Sequence, residues 1–391
     1  MPVLALLIAC LLAAQVPGGR GASPQEREAV TPAQLAAAID KLGTVDYPVR
    51  MDAGRTVRRA APAIAVPALI RAAEEHADGY VRFRALVLLS GFNDPRTRDV
   101  MVAALGAPND RLRTVAYNYF EHSPDPQIVP RLLDALGREE SEFVRPALTR
   151  ALAASGKDPR VRDVMNGLVL KGQDFFRSAV IEAIGDYKGA YALANLTEVA
   201  KLDGPLQDDA VLALGKIGDK ASLALLAGLQ RTAPRAVQPT IAAAICLLGV
   251  NCSSHLNYLE ESLRFGIANP GFQDLLRSAA SGLGAVALGG NPDAFATLVQ
   301  QGGPSRDPAR APVALAVGAV ALRNTPIALK WLEAAPDPKP ALLLLRDAFD
   351  MLEEDFEEER FFVTVRRGYW QAAEGSPSRK VAAALIQTLE F

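Results

Sequence analysis

The chain has 391 residues, half of them apolar, and carries 42 Lys and Arg against 44 Asp and Glu. That length supplies ample material for a large core and on its own suggests about two or three domains. The near balance of charge gives no basic face of the kind nucleic acid selects. With 6% aromatics and plentiful Ala and Leu, helix is favoured over strand.

The first element is an export signal, expected over residues 1–22. Residues 3–14, VLALLIACLLAA, form an unbroken apolar run followed by the breaker stretch QVPGGRGAS. A bilayer span needs roughly 20 apolar residues, whereas a run of this length suits a signal core. Cleavage is expected after Ala14, with Leu12 and Ala14 at the recognition positions. The string Leu7-Ile8-Ala9-Cys10 also resembles a bacterial lipobox, which would make Cys10 a lipidated N-terminus. The apolar residues that continue past Cys10 favour ordinary cleavage. The expected location is therefore the periplasm or cell envelope, or outside the cell, with a membrane contact only through such a lipid anchor.

Residues 23–44 are expected to form an N-terminal cap. From there a repeat is legible. The string NDPRTRDVM at 93–101 recurs as KDPRVRDVM at 157–165, with PDPQIVPRL at 124–132 between them. A second marker, an apolar residue followed by Arg or Gln, falls at Arg50, Arg82, Arg113, Arg145, Arg177, Gln207, Gln238, Gln273 and Arg310. Successive markers are 30 to 37 residues apart.

Each unit divides into two helices. The first follows a turn such as Asp94-Pro95, Asp125-Pro126, Asp158-Pro159, Gly218-Asp219 or Asn291-Pro292. Proline suits the first helical turn, and the preceding Asp or Asn can accept from its free amides. The second helix begins at the marker and ends near a glycine such as Gly91, Gly185 or Gly215. Such pairs are too short to bury their apolar faces alone, so neighbours must stack.

Helix pairs of this length, with an acid a few residues before Val-Arg and ALGKIGD at 213–219 leaving the second helix, resemble HEAT repeats. The short period is most similar to the phycobilisome-lyase-type subgroup. The resemblance covers residues 45–335 and implies an all-α, right-handed α-solenoid of about 10–11 repeats. Residues 336–391 lack the marker and are expected to be atypical C-terminal helices or a cap. What the resemblance implies for function is protein binding or assembly more than catalysis, although bilin lyases and a metal-dependent hydroxylase occur among helical-repeat proteins.

The residues offer little chemistry. A repeat-borne metal site needs paired His-Glu ligands, and the chain has only His76, His122 and His255, with no His-Glu dipeptide. There is no G-x-S-x-G elbow and no phosphate-binding G-x-x-x-x-G-K-[ST] loop. The glycines of GLGAVALGG at 282–290 fit a close helix contact with a C-terminal stop. No cofactor is expected. Cys246 and Cys252 could close a disulfide in an oxidising compartment, or remain a core residue and a loop thiol.

Acids precede several marker arginines: Asp46, Asp78, Asp110, Glu142, Asp174 and Asp307 lie three or four residues before Arg50, Arg82, Arg113, Arg145, Arg177 and Arg310. A structural ladder is expected, in which the acids cap the second helices and the arginines pair with them. An exposed Arg stripe for an acidic partner is the other reading. At the C-terminus, an acid-rich stretch carries Phe356, Phe361, Phe362, Tyr369 and Trp370. These aromatics are candidate partner contacts, or else the closure of the last repeat's core.

The expectation for the whole is an exported, non-catalytic scaffold that binds a protein partner on a concave face. A lyase-like enzyme or accessory, and a lipid-tethered structural envelope component, are the alternatives.

Overall fold

A computed structural model describes residues 29–352 and 355–391. The expected export signal and Cys10 lie outside the described residues. Those residues hold 22 α-helices and no strand, which follow one another as eleven successive pairs. The first four pairs are α1 (Pro32–Lys41) with α2 (Tyr47–Arg59), α3 (Pro62–Glu75) with α4 (Gly79–Ser90), α5 (Thr97–Ala104) with α6 (Asp110–His122), and α7 (Val129–Leu136) with α8 (Arg145–Ala154). The next three are α9 (Pro159–Leu168) with α10 (Asp174–Asp186), α11 (Leu193–Lys201) with α12 (Gln207–Ile217), and α13 (Leu223–Thr232) with α14 (Gln238–Leu247). Then come α15 (Cys252–Ala268) with α16 (Gln273–Leu288), α17 (Pro292–Gly302) with α18 (Arg310–Arg323), and α19 (Thr325–Ala334) with α20 (Lys339–Leu352). The last pair is α21 (Asp355–Gln371) with α22 (Pro377–Leu389).

The turn residues act largely as their chemistry requires. Asp158 accepts from Arg160 N at the head of α9 with Pro159 in the first turn, and Asn291 does the same for α17 with Pro292. After Asp94-Pro95 and Asp125-Pro126 the helix starts two and three residues later, at Thr97 and Val129.

The marker residues share one task. In the first turn of their second helices, the marker side chains donate to carbonyls at the end of the first helix of the same pair or in the loop that follows it. Arg50 reaches Thr44 O, Arg113 Ala107 O, Arg145 Glu139 O and Arg177 Val169 O. Gln207 reaches Ala200 O, Gln238 Ala233 O, Gln273 Pro270 O and Arg310 Gly302 O. All of these bonds except the exposed one from Gln273 are at least partly buried, so they satisfy carbonyls that burial would otherwise penalise. Gln serves as well as Arg because the task needs a donor, not a charge. Arg82 departs from the pattern, with its Nε buried and unbonded.

The acids before the markers are less regular than expected. Asp46 and Asp78 do cap their helices. At α6 the cap is Asn109 rather than Asp110, and α8, α10 and α18 begin without a side-chain cap. Their first turns are held by the marker's bond to the preceding loop instead.

Second helices pack on one another from pair to pair far more extensively than first helices do. Small residues make that approach possible. A Cβ added at Gly185 would stand 2.8 Å from Ala213 Cα, one at Gly215 2.5 Å from Ala244 Cα, and one at Gly318 2.5 Å from Ala348 Cβ. The row that packs more closely becomes the inside of the curve. Gly215 therefore does not end its helix. That role belongs to Gly218, left-handed at φ 84°.

Residues 336–391 belong to the same body. α20 stacks on α18 and continues the row of second helices. α22 packs on α19 and α20, while α21 turns into the curve and touches α18 on one side and α4 and α6 on the other. The buried side chains form two apolar cores that meet at α14, one spanning Leu35 to Leu248 and the other Ala242 to Phe391. Cys246 and Cys252 are joined by a disulfide across the α14–α15 turn. Among the described residues no single helix is long and apolar enough to cross a membrane.

Candidate functional site

The inner face of the curve has two regions of different chemistry. The first is a set of buried ion pairs around α21. Arg58 on α2 donates to Glu359 from Nε at 2.9 Å, and both side chains are buried. Arg84 on α4 pairs with Asp355. His122 on α6 lies with its Nε2 2.5 Å from Glu357 Oε1 and 2.9 Å from Arg360 Nη1. Gly91 makes room for the helix, because a Cβ there would meet Glu359 at 2.8 Å and Val363 at 3.0 Å.

The network continues along the inner row. Glu121 Oε1 accepts from Arg150 Nε at 2.8 Å and from the Tyr187 hydroxyl at 2.7 Å. Asp186, at the end of α10, gathers Arg150 at 2.8 Å, Lys216 at 2.6 Å and Arg323 at 3.0 Å. Burial opposes its charge, but these three cations hold the Asp186 carboxyl down at about 2. Burial also opposes the charge on Arg150, and Glu121 and Asp186 raise it above its usual range regardless. Through Arg323, α18 closes across the curve onto α10.

Among the described residues, Glu121, His122 and Glu357 converge closely enough to hold a metal ion. Their donor atoms are already engaged by Arg150, Tyr187 and Arg360. A cation beside the His122 nitrogen is poor company for a metal, so this trio reads as part of the ion-pair network. His76 and His255 lie elsewhere. His76 Nδ1 accepts from Asp78 N, and burial lowers the pKa of His255.

The second region is a groove of about 340 Å³ across α12, α14 and α16. It lies on the same face of α12 as Lys216, since Asp209, Leu212 and Lys216 recur at helical spacing. Its floor is polar: the buried hydroxyls of Thr240 and Ser278 are 2.7 Å apart. Asp208 and Asp209 form one wall, and the exposed Asp274, Arg277 and Ser281 form the rim. Asp208 Oδ1 is buried and accepts no hydrogen bond. Burial, reinforced by Asp209 and Asp274, pushes the Asp208 carboxyl up to about 6. Burial raises Asp209 as well. Such a groove can hold a cationic group, and it contains a carboxyl that titrates close to neutral pH.

The stack of marker-capped helix pairs, curved toward its second helices, decides the architecture. The chain is an α-solenoid of stacked helix pairs. No family model and no curated protein matches its sequence. Among solved structures, this solenoid is similar to the Escherichia coli protein YibA, at 18% identity over 55% of this chain and 81% of that one, with a TM-score of 0.41. It is also similar to the complex of CpcE and CpcF of phycocyanin lyase from Nostoc sp. PCC7120, at 20% identity over 59% of this chain and 92% of that one, TM-score 0.35. Yeast importin-beta, Kap95p, matches 92% of the solenoid with 56% of its own length, at 13% identity and a TM-score of 0.39.

The solenoid's C-terminal aromatics require a correction. Phe356, Phe361 and Phe362 are buried in the protein's own cores, which fits the core-closing reading and not their candidacy as partner contacts. Phe361 and Phe362 pack with Phe349 and Phe391, and Phe356 stacks on His122. The helical period of α21 turns these rings inward because the helix has neighbours on both sides. Tyr369 and Trp370 stay half-buried beneath the Arg379 guanidinium.

Asp208, Asp209 and Asp274 escaped the sequence reading. Their signal is the string QDD at 207–209 and QD at 273–274, where acids follow the marker just as it loses its own charge. Phe143 and Phe175 also went unnoticed. They hold equivalent places two residues before successive markers and are 88% and 60% exposed.

Proposed function

We propose that this protein is an exported, non-catalytic scaffold that holds a protein partner on its inner surface, with the groove across α12, α14 and α16 receiving a basic side chain. The observation that carries this reading is Asp208, whose buried Oδ1 accepts no hydrogen bond, beside Asp209 in a groove whose rim acid, Asp274, is already paired with Arg277. A guanidinium or ammonium group from a partner would supply the missing donor and offset the crowded negative charge. The concave face expected from the sequence is narrowed accordingly, because α21 fills the part over α4 and α6. The fixed solenoid frame would hold the groove ready, which lowers the ordering cost of binding.

A photo-crosslinking residue at Ser281, on the groove's rim, tests the reading against one at the exposed Glu198 of the outer row. The expected result is one protein adduct in the cell envelope fraction from position 281, absent from 198 and lost with Asp208→Asn plus Asp209→Asn. No adduct from 281, together with turnover of a small molecule by the purified protein, would favour the lyase-like alternative.

The disulfide supports an oxidising compartment, hence export to the periplasm, the cell envelope or beyond. Mass spectrometry of the mature N-terminus tests this. A start at Gln15 is expected from cleavage after Ala14, while a diacylated Cys10 would indicate a lipid-tethered envelope component.

A further inference from the structure

The last helix pair is attached to the rest of the solenoid in two unlike ways. Toward its own end the attachment is apolar: Phe361, Phe362 and Val365 of α21 belong to the second core with Phe349, Leu385 and Phe391. Toward the first pairs it is almost entirely polar. Asp355, Glu357 and Glu359 meet Arg84, His122 and Arg58, and the Arg366 guanidinium donates to Arg58 O at 3.0 Å. Among the described residues, Phe356 is the one side chain of α21 that joins the first core.

These two attachments respond differently to conditions. Apolar packing is insensitive to moderate salt, whereas ion pairs are weakened by screening and by any competing charge. The polar side also carries an internal conflict. Arg58 and Arg366 are neighbouring cations that share Glu359, and burial followed by Arg58 pulls Arg366 down to about 10. A solenoid bends by small adjustments at each stacked interface, so its ends can part without unfolding any pair. The two cores divide at α14, which places such a bend midway between the first pairs and α21.

We propose that α21 is an intramolecular clasp: it stays packed on α18, α20 and α22 while its acidic edge releases the cationic inner face of α2, α4 and α6, which then accepts an acidic, aromatic-bearing helix of a partner. The uncovered face would present Arg58, Arg84 and His122 around the slot that Phe356 fills and the approach that Gly91 allows. Its own occupant defines the partner's chemistry: carboxylates for the cations and one aromatic ring for the slot. The partner half of this inference rests on the scaffold reading above, and the clasp half does not.

The test uses the full chain with Asp355→Asn, Glu357→Gln and Glu359→Gln. Small-angle scattering is expected to show a larger radius of gyration than for the unaltered protein, with an unchanged far-ultraviolet circular dichroism spectrum. A fluorescent peptide with the sequence of residues 351–371 should bind the variant at least about tenfold more tightly than the unaltered protein, whose face is occupied. Scattering identical to that of the unaltered protein would overturn the clasp. A peptide that binds neither chain, or both equally, would overturn the acceptor surface. Should the triple variant lose helix, Arg58→Glu alone and with Glu359→Arg decides the matter. Opening by the first and closure by the second is expected, and a double variant as open as the single one would overturn the clasp. None of these readouts uses the α12–α16 groove, so failure here leaves the crosslinking test of the scaffold reading intact.

Discussion

Arg113 and Glu139 face each other across the junction of the third and fourth helix pairs, with Nε 2.8 Å from Oε2 and Nη2 2.8 Å from Oε1. The third nitrogen, Nη1, donates at the same time to Ala107 O and Pro108 O. One side chain thus caps its own pair and locks the next one. Glu139 is 5% exposed, and Arg113 holds its carboxyl below the ordinary range despite the cost of burial. Arg113→Gln keeps a donor for the carbonyls, as Gln207 and Gln238 show, but leaves Glu139 buried without its cation. A loss of about 3 kcal/mol is expected in urea unfolding at pH 7. Arg177→Gln should cost less than about 1 kcal/mol, since its acid partner Asp174 is exposed.

The contact of Gly215 with Ala244 leads to a second prediction. In most helices Gly→Ala is stabilising by about 1 kcal/mol. At position 215 the new methyl would stand 2.5 Å from Ala244 Cα, so α12 and α14 must separate. Gly215→Ala is expected to destabilise by about 2 kcal/mol. Gly218→Ala meets open space but has to hold φ at 84°, which costs about 1 kcal/mol. Thermal unfolding of the two variants side by side checks the order. A more stable Gly215→Ala protein would contradict the close-packed inner row.

Asp186 is the anion on which Arg150, Lys216 and Arg323 converge. Asp186→Ala leaves three cations facing one another in a largely buried space, and a loss of about 4 kcal/mol is expected at neutral pH. The pH dependence has a definite sign. The folded carboxyl titrates near 2, below its ordinary value of 3.8, so its contribution is present above about 4 and fades as pH falls toward 2. The gap between the two proteins should narrow over that window.

The sequence made the repeat legible because its constraints are local. In eight of the nine marked pairs the chain leaving the first helix takes a donor from the second, so Arg or Gln returns every 30 to 37 residues. Close inner-row contacts need small residues at matching places, which gives ALGKIGD its form. Closure of the curve has no such trace. Arg58 and Glu359 are 301 residues apart in the chain, and only the accumulated curvature of ten pairs brings them together. Read alone, the acids of α21 look like the solvated face of a terminal cap and its aromatics like the closure of the last core; that the acids face the first pairs is not visible. The groove was half legible: the acids after Gln207 and Gln273 are visible in the string, but their burial depends on how α12, α14 and α16 splay.

Asp208 provides the sharpest prediction for the groove. Its carboxyl titrates near 6 in the folded protein against 3.8 ordinarily, because burial and then Asp209 and Asp274 disfavour its charge. A raised pKa means that folding is favoured most below about 4 and loses that advantage as pH rises through 6. Asp208→Asn removes the charge at every pH. The variant should be more stable than the parent by about 2 kcal/mol at pH 7.5, allowing for partial solvent screening, and the two should converge below pH 4. Binding should move the opposite way. A basic side chain in the groove needs the ionised carboxyl, so adduct yield from position 281 should climb between pH 5 and pH 7 in the parent and stay low and flat in Asp208→Asn. A variant that gains stability while keeping full, pH-dependent crosslinking would show that the partner bypasses Asp208. Gain of stability with loss of crosslinking would mark Asp208 as a residue held at a cost to the fold for the sake of the partner.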